Sequence, residues 1–449
     1  MTNSVEKIHF LGIGGSGTSA AAGIAQAQGY TVTGCDKDEV ALSNEFASIF
    51  DKSILSLGHS PDHLHNVDLL VITPAILSLD PNNEELKAAK EKKIKIMTWQ
   101  QFMGRFLMKN KYVIAVCGSH GKSTTTAMIG LMLEDSGLDP TVELGAIIPE
   151  WGTNFRVGKG KYFVTEADEF NDNFLSITPN IAVVINIDFD HPEYFKNPTA
   201  YKRSFQNFLH KTKDLIIANL EDPVVAEVLA FHLGGGQSNY GLFFKPVVDY
   251  SKVLIDFPLK VIGHHNRSNA TAAFMVGKTL GLNQKRIEQN LANYTGIGRR
   301  MEFLGKFKGA DVYLDFGHHP TEIKTTIEAV KEKFPDKDII LVYQPHMFSR
   351  TKALFKDFIK VFSQLEIFRI YIMDIYPSRE IDTGLVDSEE LVDAIDQKRP
   401  PLKHTNTSYA PYREELIQNL KHDIKEEDIM IFMGAGDIDK LAKEIVKNG

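Results

Sequence analysis

This 449-residue chain contains few cysteines and no long apolar run. Its two cysteines, Cys35 and Cys117, are too few for the disulfide framework that small secreted proteins use. No stretch approaches the roughly 18 apolar residues that a membrane-spanning helix requires. The first residues, Met1 to Lys7, are polar and lack the layout of a signal peptide. We therefore expect a cytoplasmic protein in a reducing environment.

The chain also lacks an excess of positive charge. Fifty basic residues oppose 58 acidic ones, for a net charge of −8, and the isoelectric point is about 6.0. A protein that binds nucleic-acid backbone or an anionic membrane usually carries a basic surface, so we expect neither partner. Hydrophobic residues make up 43% of the sequence, which is typical of a globular chain. At 100 to 200 residues per domain, the length predicts about three domains.

Short apolar runs alternate with helical patterns along the whole chain, which predicts an α/β protein with largely parallel sheets. A charged patch near Lys109 and a flexible basic segment after Gly296 divide the sequence. We predict a Rossmann-like N-terminal domain, a P-loop ATPase-like central domain and a Rossmann-like C-terminal domain, spanning residues 1–109, 110–296 and 297–449. The glycine-containing stretch 234–239 is predicted to be a loop.

The first motif is glycine-rich and lies between a predicted strand and a helix. Small residues there let backbone amides approach a pyrophosphate at the helix N-terminus, and an acid after the second strand can bind a ribose hydroxyl. This pattern favours a dinucleotide such as NAD or another nucleotide diphosphate and does not choose between them. The candidate ligand-binding residues are Gly14, Gly15, Ser16, Gly17 and Asp36.

A second glycine loop follows the predicted strand Tyr112–Cys117 and resembles a P-loop. Its glycines open the backbone to phosphate, Lys122 reaches the β and γ phosphates, and the Ser123 hydroxyl can ligate Mg²⁺. The loop is shorter than the full consensus, because Val116 stands where the first glycine is expected. The candidate ATP-binding residues are Gly118, Ser119, His120, Gly121, Lys122, Ser123 and Thr124.

Acidic residues follow two later strands of the central domain. Glu166 opens an acidic run that extends to Glu169, and His191 closes a second polar run. If these strands neighbour the P-loop strand, Glu166 and His191 join Ser123 around Mg²⁺. For Asp168 or Glu169 alone, a solvated turn stays open as an interpretation.

Four further clusters of polar residues occur between residues 264 and 351. The paired histidines among them lack the spacing of a zinc site, so structural zinc is not expected. Arginine and histidine beside a nucleotide more often bind a base, a phosphate or a carboxylate. The candidates for nucleotide or substrate contacts are Asn269, Arg300, Asp315, His318, His346 and Arg350.

The motifs occur in an order, and over nearly the whole length of the chain, that resembles the Mur ligase family. The resemblance implies that the first domain holds a UDP-sugar, the central domain holds ATP and Mg²⁺, and the third domain closes over them with an amino acid. The first glycine motif is then a UDP-diphosphate site. The implied reaction phosphorylates UDP-N-acetylmuramate to an acyl phosphate, which the amine of an amino acid attacks to form an amide in peptidoglycan precursor synthesis.

The resemblance also implies residue roles. Lys122, Glu166 and His191 would serve phosphoryl transfer, and Asn269 and Asp315 would contact adenine and ribose. His346 and Arg350 would face the acceptor, with Arg350 on its carboxylate.

Several alternatives remain open at this point. L-alanine is the favoured acceptor, but the family commonly has a second basic residue where this chain has Met347. A murein tripeptide or another amino acid would therefore also fit. A nicotinamide-dependent oxidoreductase explains the first glycine motif but leaves Lys122 without a role. A catalytically silent nucleotide sensor would not need Lys122, Glu166 and His191 together. We expect a monomer or a homodimer.

Overall fold

The computed structural model describes residues 5–37, 39–44, 46–233, 245–378, 380–399 and 405–448. The predicted loop 234–239 lies outside these residues. The chain divides into two units. The first contains Met1–Phe189, Asn197–Lys260 and Ser268–Tyr294, and the second contains Asp190–Lys196, Val261–Arg267 and Thr295–Gly449.

The first unit begins with a five-stranded parallel sheet in the order β3-β2-β1-β4-β5. Its strands are β1 (Lys7–Leu11), β2 (Thr31–Asp36), β3 (Leu55–Leu57), β4 (Leu69–Ile72) and β5 (Lys95–Thr98). The strand order reverses between β1 and β4, which is where ligands bind in open α/β sheets. The accompanying helices are α1 (Ser16–Ala27), α2 (Glu39–Ser43), α3 (Ile76–Leu79), α4 (Glu84–Glu91) and α5 (Trp99–Phe102), with short helical turns at Lys52–Ile54, Pro61–Leu64 and Met103–Leu107.

A second sheet of seven strands follows in the same unit, in the order β12-β11-β10-β6-β9-β7-β8. Its strands are β6 (Tyr112–Cys117), β7 (Thr141–Ile148), β8 (Thr153–Arg156), β9 (Tyr162–Ala167), β10 (Ile181–Val184), β11 (Leu215–Ala218) and β12 (Val247–Asp249). Its helices are α6 (Lys122–Asp135), α7 (Pro198–His210), α8 (Pro223–Leu233), α9 (His264–Thr279) and α10 (Gln284–Asn293), with a 3₁₀ segment at Phe170–Ser176. β6 lies between β9 and β10, so the ends of these three strands lie side by side.

Helix α1 of the first sheet packs on the β7–β8 hairpin of the second. Gly23 lies so close to Phe155 that an added Cβ would stand 2.2 Å from the ring. Asn154 donates to the carbonyls of Ser16 at 2.8 Å and Leu144 at 3.1 Å. The hairpin therefore ties the two sheets of this unit together.

The second unit is built on a six-stranded sheet in the order β13-β14-β18-β15-β16-β17. Its strands are β13 (Glu302–Phe307), β14 (Ala310–Asp315), β15 (Ile339–Tyr343), β16 (Arg369–Ile372), β17 (Asn406–Tyr409) and β18 (Ile429–Met433). Its helices are α11 (Pro320–Lys333), α12 (Phe348–Ala353), α13 (Phe355–Gln364), α14 (Ser388–Lys398), α15 (Arg413–Asp423) and α16 (Ile438–Asn448). Apolar cores on both faces, one around Tyr343 and one around Phe432, bury the sheet.

These observations confirm the predicted class of three largely parallel α/β sheets. Two antiparallel pairs, β7–β8 and β13–β14, depart from the parallel pattern at sheet edges. Among the described residues, no helix is both long and apolar enough to cross a membrane.

Because Gly23 lies against Phe155, we predict that a larger side chain at position 23 lowers the stability of the protein. Gly23→Leu should lower the free energy of unfolding by about 1–3 kcal/mol, because a larger side chain must displace the buried ring. Ala27→Leu is the control, since Ala27 lies exposed on the same helix and such substitutions usually change stability by less than about 0.5 kcal/mol. Urea denaturation of both variants provides the measurement. Equal midpoints would contradict the packing described here.

Candidate active site

The first glycine turn joins β1 to α1 and requires small residues. Gly12 has a φ of +84°, and an added Cβ would lie 2.5 Å from Thr73 Cγ2. At Gly14 an added Cβ would lie 2.4 Å from the carbonyl oxygen of Ala41. The packing of this turn therefore leaves no room for a side chain at either position. Gly15 then caps α1, whose first turn contains Ser16 and Gly17.

Asp36 is bound to the backbone of this turn. Its Oδ2 accepts a hydrogen bond from the Gly14 amide at 2.9 Å, and its Oδ1 accepts one from the Lys37 amide at 2.8 Å. The sequence predicted a ribose contact for this carboxylate. In the structure Asp36 braces the glycine turn, with little of its surface exposed.

The second glycine loop follows β6 and ends at the N-terminus of α6. Gly118 and Gly121 have φ values of +142° and +85°, which favour glycine over any residue with a side chain. An added Cβ at Gly121 would lie 2.6 Å from Asn269 Oδ1. Asn269, a predicted nucleotide contact on α9, is therefore buried directly against the loop.

Lys122 is held by an ion pair that the sequence did not reveal. Its Nζ donates to Glu169 Oε2 at 2.8 Å and to the carbonyl of Gly118 at 2.6 Å. Burial opposes the ammonium charge, but the carboxylates of Glu169, Asp168 and Glu166 together outweigh it and raise the pKa of Lys122 above its usual value. Glu169 is buried. It is thus the ion-pair partner of the P-loop lysine and not a solvated turn residue.

The segment after β10 fixes the rest of the loop. Ser119 Oγ donates to the carbonyl of Asp188 at 2.7 Å and lies 2.9 Å from Tyr201 Oη. Tyr201 in turn donates to Glu169 at 3.1 Å. The amide of His120 donates to Asn186 Oδ1 at 2.8 Å. Ser119 and His120 are therefore engaged with protein groups that hold the loop in shape.

Two carboxylates lie near the start of α6 on neighbouring strands. Glu166 on β9 accepts a hydrogen bond from the Gly145 amide at 2.7 Å, and burial raises its pKa despite the Ser123 hydroxyl contact. On β7, burial followed by the charge of Glu166 raises the pKa of Glu143 to about 8. Ser123 and Glu166 offer the oxygen ligands that Mg²⁺ prefers, and the excess of buried acid favours a cation. These residues therefore fit the predicted metal.

In the second unit, a buried ion pair joins Arg350 on α12 to Asp190. Arg350 Nε donates to Asp190 Oδ1 at 2.9 Å, and its Nη1 lies 3.1 Å from His346 Nδ1. Burial disfavours the Asp190 charge, but His191 and Arg350 hold the pKa of this carboxyl well below its usual range. His191, which has a φ of +58°, lies 3.3 Å from Glu193 through Nδ1. The predicted residues His191, His346 and Arg350 thus belong to one cluster.

A second polar group surrounds the N-terminus of α11. Glu322 accepts hydrogen bonds from the amide of His318 at 3.0 Å and from Arg300 at 2.9 Å. Burial, together with the charge of Arg350, lowers the pKa of His318 to about 3, so its imidazole is neutral. Asp315 accepts from the amides of Gly317 and Met301 at 2.8 and 3.0 Å. Asp315 therefore binds backbone amides of the adjacent turns, as Asp36 does in the first sheet.

Three family models match the chain in order. They describe the Mur ligase family catalytic domain over residues 7–112, the Mur ligase middle domain over 116–277 and the Mur ligase glutamate ligase domain over 299–436. The chain belongs to the Mur ligase family. Because the chain belongs to this family, we no longer interpret the first glycine turn as the site of a nicotinamide-dependent oxidoreductase.

Curated relatives sharpen the comparison. The chain is 33% identical over 470 residues to UDP-N-acetylmuramate--L-alanine ligase of Aquifex aeolicus (strain VF5), covering 99% of this chain and 98% of that protein. It is 36% identical over 468 residues to the enzyme of the same name from Alkaliphilus metalliredigens (strain QYMF), with the same coverage. The likeness therefore extends over all three sheets.

A solved structure confirms the fold over the same length. UDP-N-acetylmuramate-alanine ligase from Thermotoga maritima superposes with a TM-score of 0.76 at 24% identity, covering 98% of each chain. A murein peptide ligase from Psychrobacter arcticus superposes with a TM-score of 0.68 at 21% identity, again over 98% of each chain. At these identities the superpositions speak to the fold alone.

Buried Glu143 predicts a specific dependence of stability on pH. Its folded pKa of about 8 exceeds its unfolded value of 4.5, so the folded state binds the proton more tightly between those values and stability falls as pH rises through this window. Glu143→Gln should remove that part of the slope. Urea unfolding from pH 5 to 8, without nucleotide or Mg²⁺, measures it. Glu91→Gln, an exposed control, should retain the wild-type slope; an unchanged slope in Glu143→Gln would refute the assignment.

Proposed function

We propose that this chain is an ATP-dependent ligase that joins the carboxylate of UDP-N-acetylmuramate to the amine of L-alanine through an acyl phosphate, in peptidoglycan precursor synthesis. The observation that carries the proposal is the P-loop, in which charged Lys122 pairs with buried Glu169 and Ser123 contacts Glu166, in a chain that aligns end to end with ligases of that name. We assign the sugar nucleotide to residues 1–109, ATP to 110–296 and the acceptor to 297–449.

Phosphoryl transfer requires positioning and neutralisation of charge more than covalent help from the protein. The amides of Gly118 and of residues 121–124 would surround the phosphates, with Ser119 and His120 holding the loop in shape through Asn186. Lys122 would exchange its contact with Glu169 for phosphate oxygens. The ion pair keeps the lysine charged and oriented before ATP arrives. Ser123 and Glu166 would hold Mg²⁺, which when bound offsets negative charge on the phosphates.

The sugar nucleotide would bind through its diphosphate at the N-terminus of α1. Ser16 and Gly17 supply backbone amides, which suit an anion because the helix dipole is positive there. The amide of Gly15 donates to the carbonyl of Gly12 at 3.2 Å and closes the turn in front of them. Asp36 contributes indirectly, since it fixes the Gly14 amide and hence the shape of the turn. We therefore assign Asp36 to positioning of the turn.

The acceptor would bind beside the cluster around Arg350 in the C-terminal domain. A guanidinium whose Nε and Nη2 donate to Asp190 and whose Nη1 lies beside His346 is oriented before the amino acid arrives. The remaining N–H groups on Nη1 and Nη2 would donate to the acceptor carboxylate. Neutral His318 can accept a hydrogen bond from an amine. Asn269, Arg300 and Asp315 remain our candidates for contacts to the nucleotide.

The proposed reaction has two chemical steps, with an acyl phosphate as the intermediate. The sugar carboxylate takes the γ-phosphoryl group of ATP, and ADP leaves. The amine of L-alanine then attacks the activated carbonyl, the tetrahedral intermediate expels phosphate, and the amine loses a proton as the amide forms. Both ATP and a sugar nucleotide are cytoplasmic metabolites, so we place the reaction in the cytoplasm and expect a monomer or homodimer to perform it.

Phosphate release measures the reaction directly. With ATP, Mg²⁺ and UDP-N-acetylmuramate, L-alanine should stimulate release more than glycine, L-serine or the tripeptide L-alanyl-γ-D-glutamyl-meso-diaminopimelate. Stronger stimulation by the tripeptide would favour the peptide-adding alternative that Met347 leaves open. Release that does not depend on the sugar nucleotide would refute the proposed reaction altogether.

Removal of the P-loop ammonium should abolish catalysis without unfolding the chain. Lys122→Ala should lower kcat by about 100-fold or more, the scale seen when one group that stabilises a transition state is lost. The exposed Lys109→Ala serves as the control and should retain activity. Steady-state kinetics and circular dichroism of both variants provide the measurements. Normal turnover by Lys122→Ala would contradict the assigned role.

A further inference from the structure

Behind the glycine turn of the first sheet, four potential metal ligands come from four separate elements. They are His9 on β1, Cys35 on β2, His63 in the turn Pro61–Leu64 and Glu85 in the first turn of α4. One ligand atom from each lies within 4.8 Å of the others. His9, Cys35 and Glu85 are at most 1% exposed. The reaction proposed above uses none of these side chains.

The side chains of His9 and Glu85 are buried at the centre of this cluster. His9 Nε2 lies 2.9 Å from Glu85 Oε1, within ion-pair distance. A buried carboxylate is costly unless positive charge or hydrogen bonds offset it, and a bound cation would supply such a charge. The other ring nitrogen, Nδ1 of His9, lies 2.8 Å from Thr33 Oγ1. That outer contact orients the ring as it does for metal-binding histidines and directs Nε2 into the cluster.

The remaining distances suit a single small ion. Cys35 Sγ lies 3.3 Å from Glu85 Oε2, and His63 Nδ1 lies 3.4 Å from the same oxygen. Tetrahedral zinc, with bonds of about 2.0–2.3 Å, separates its ligand atoms by roughly 3.3–3.8 Å. Only small adjustments would therefore bring the four atoms to bonding distance of a common centre.

We propose that His9, Cys35, His63 and Glu85 form a binding site for a transition-metal ion of the zinc type. A sulfur, two imidazoles and one carboxylate select such an ion over Mg²⁺ or Ca²⁺, which prefer oxygen. On binding, the Cys35 thiol releases its proton to solvent and its sulfur bonds to the metal. The partly exposed side chain of His63 gives the ion its route of entry.

Cobalt provides a probe of this site in the full-length protein, after removal of metal by chelator. Co²⁺ should bind at one equivalent per chain, with a near-ultraviolet band from the cobalt–thiolate bond and the intense visible bands of tetrahedral Co²⁺. Zn²⁺ should displace it. Cys35→Ser should abolish the thiolate band, while His63→Gln should weaken binding by about 100-fold or more and Thr33→Val by about tenfold.

Two matched controls separate this site from other residues. Cys117→Ser keeps Cys35 but removes the second cysteine, and His65→Gln changes an exposed histidine two residues from His63. Both should retain the wild-type cobalt spectrum and affinity. Absence of stoichiometric tetrahedral binding in the wild-type protein would overturn the proposal. A thiolate band that survives in Cys35→Ser would overturn it as well, and neither readout depends on the ligase reaction.

Discussion

The buried ion pair between Lys122 and Glu169 is the interaction on which the ATP-binding loop depends. An ammonium among buried groups is stable only when a partner offsets its charge, and Glu169 does so at 2.8 Å. Tyr201 links the same carboxylate to Ser119, so the lysine, the loop and helix α7 form one hydrogen-bonded network. The pair therefore supports both the charge state of Lys122 and the geometry of the loop.

In both glycine loops, an acidic residue at or just after the end of a neighbouring strand accepts a hydrogen bond from the loop itself. Asp36 binds the Gly14 amide in the first sheet, and Glu169 binds Lys122 in the second. A phosphate-binding turn must present free amides to its ligand, so other groups have to hold its shape. An acidic residue such as Asp36, which the sequence suggests as a ligand contact, can therefore act by holding the loop in shape.

Much of the fold could be predicted because local patterns dominate it. The range predicted for the strand Tyr112–Cys117 agrees with the structure residue for residue. It is a short apolar run, as expected for a strand buried on both faces. The β7–β8 hairpin was not predicted, because polar residues such as Asn154 in it are buried by contacts to α1. Such contacts leave no local pattern.

The sequence by itself determined the order of helices and strands, the class of fold and the two glycine loops, since hydrophobic period and the need for glycine at positive φ are local properties. Only the tertiary structure decided that Glu169 pairs with Lys122, 47 residues away, and that Cys35 meets Glu85, 50 residues away. Those contacts depend on which strands become neighbours and which way each side chain is turned. Both follow from the packing of the whole sheet.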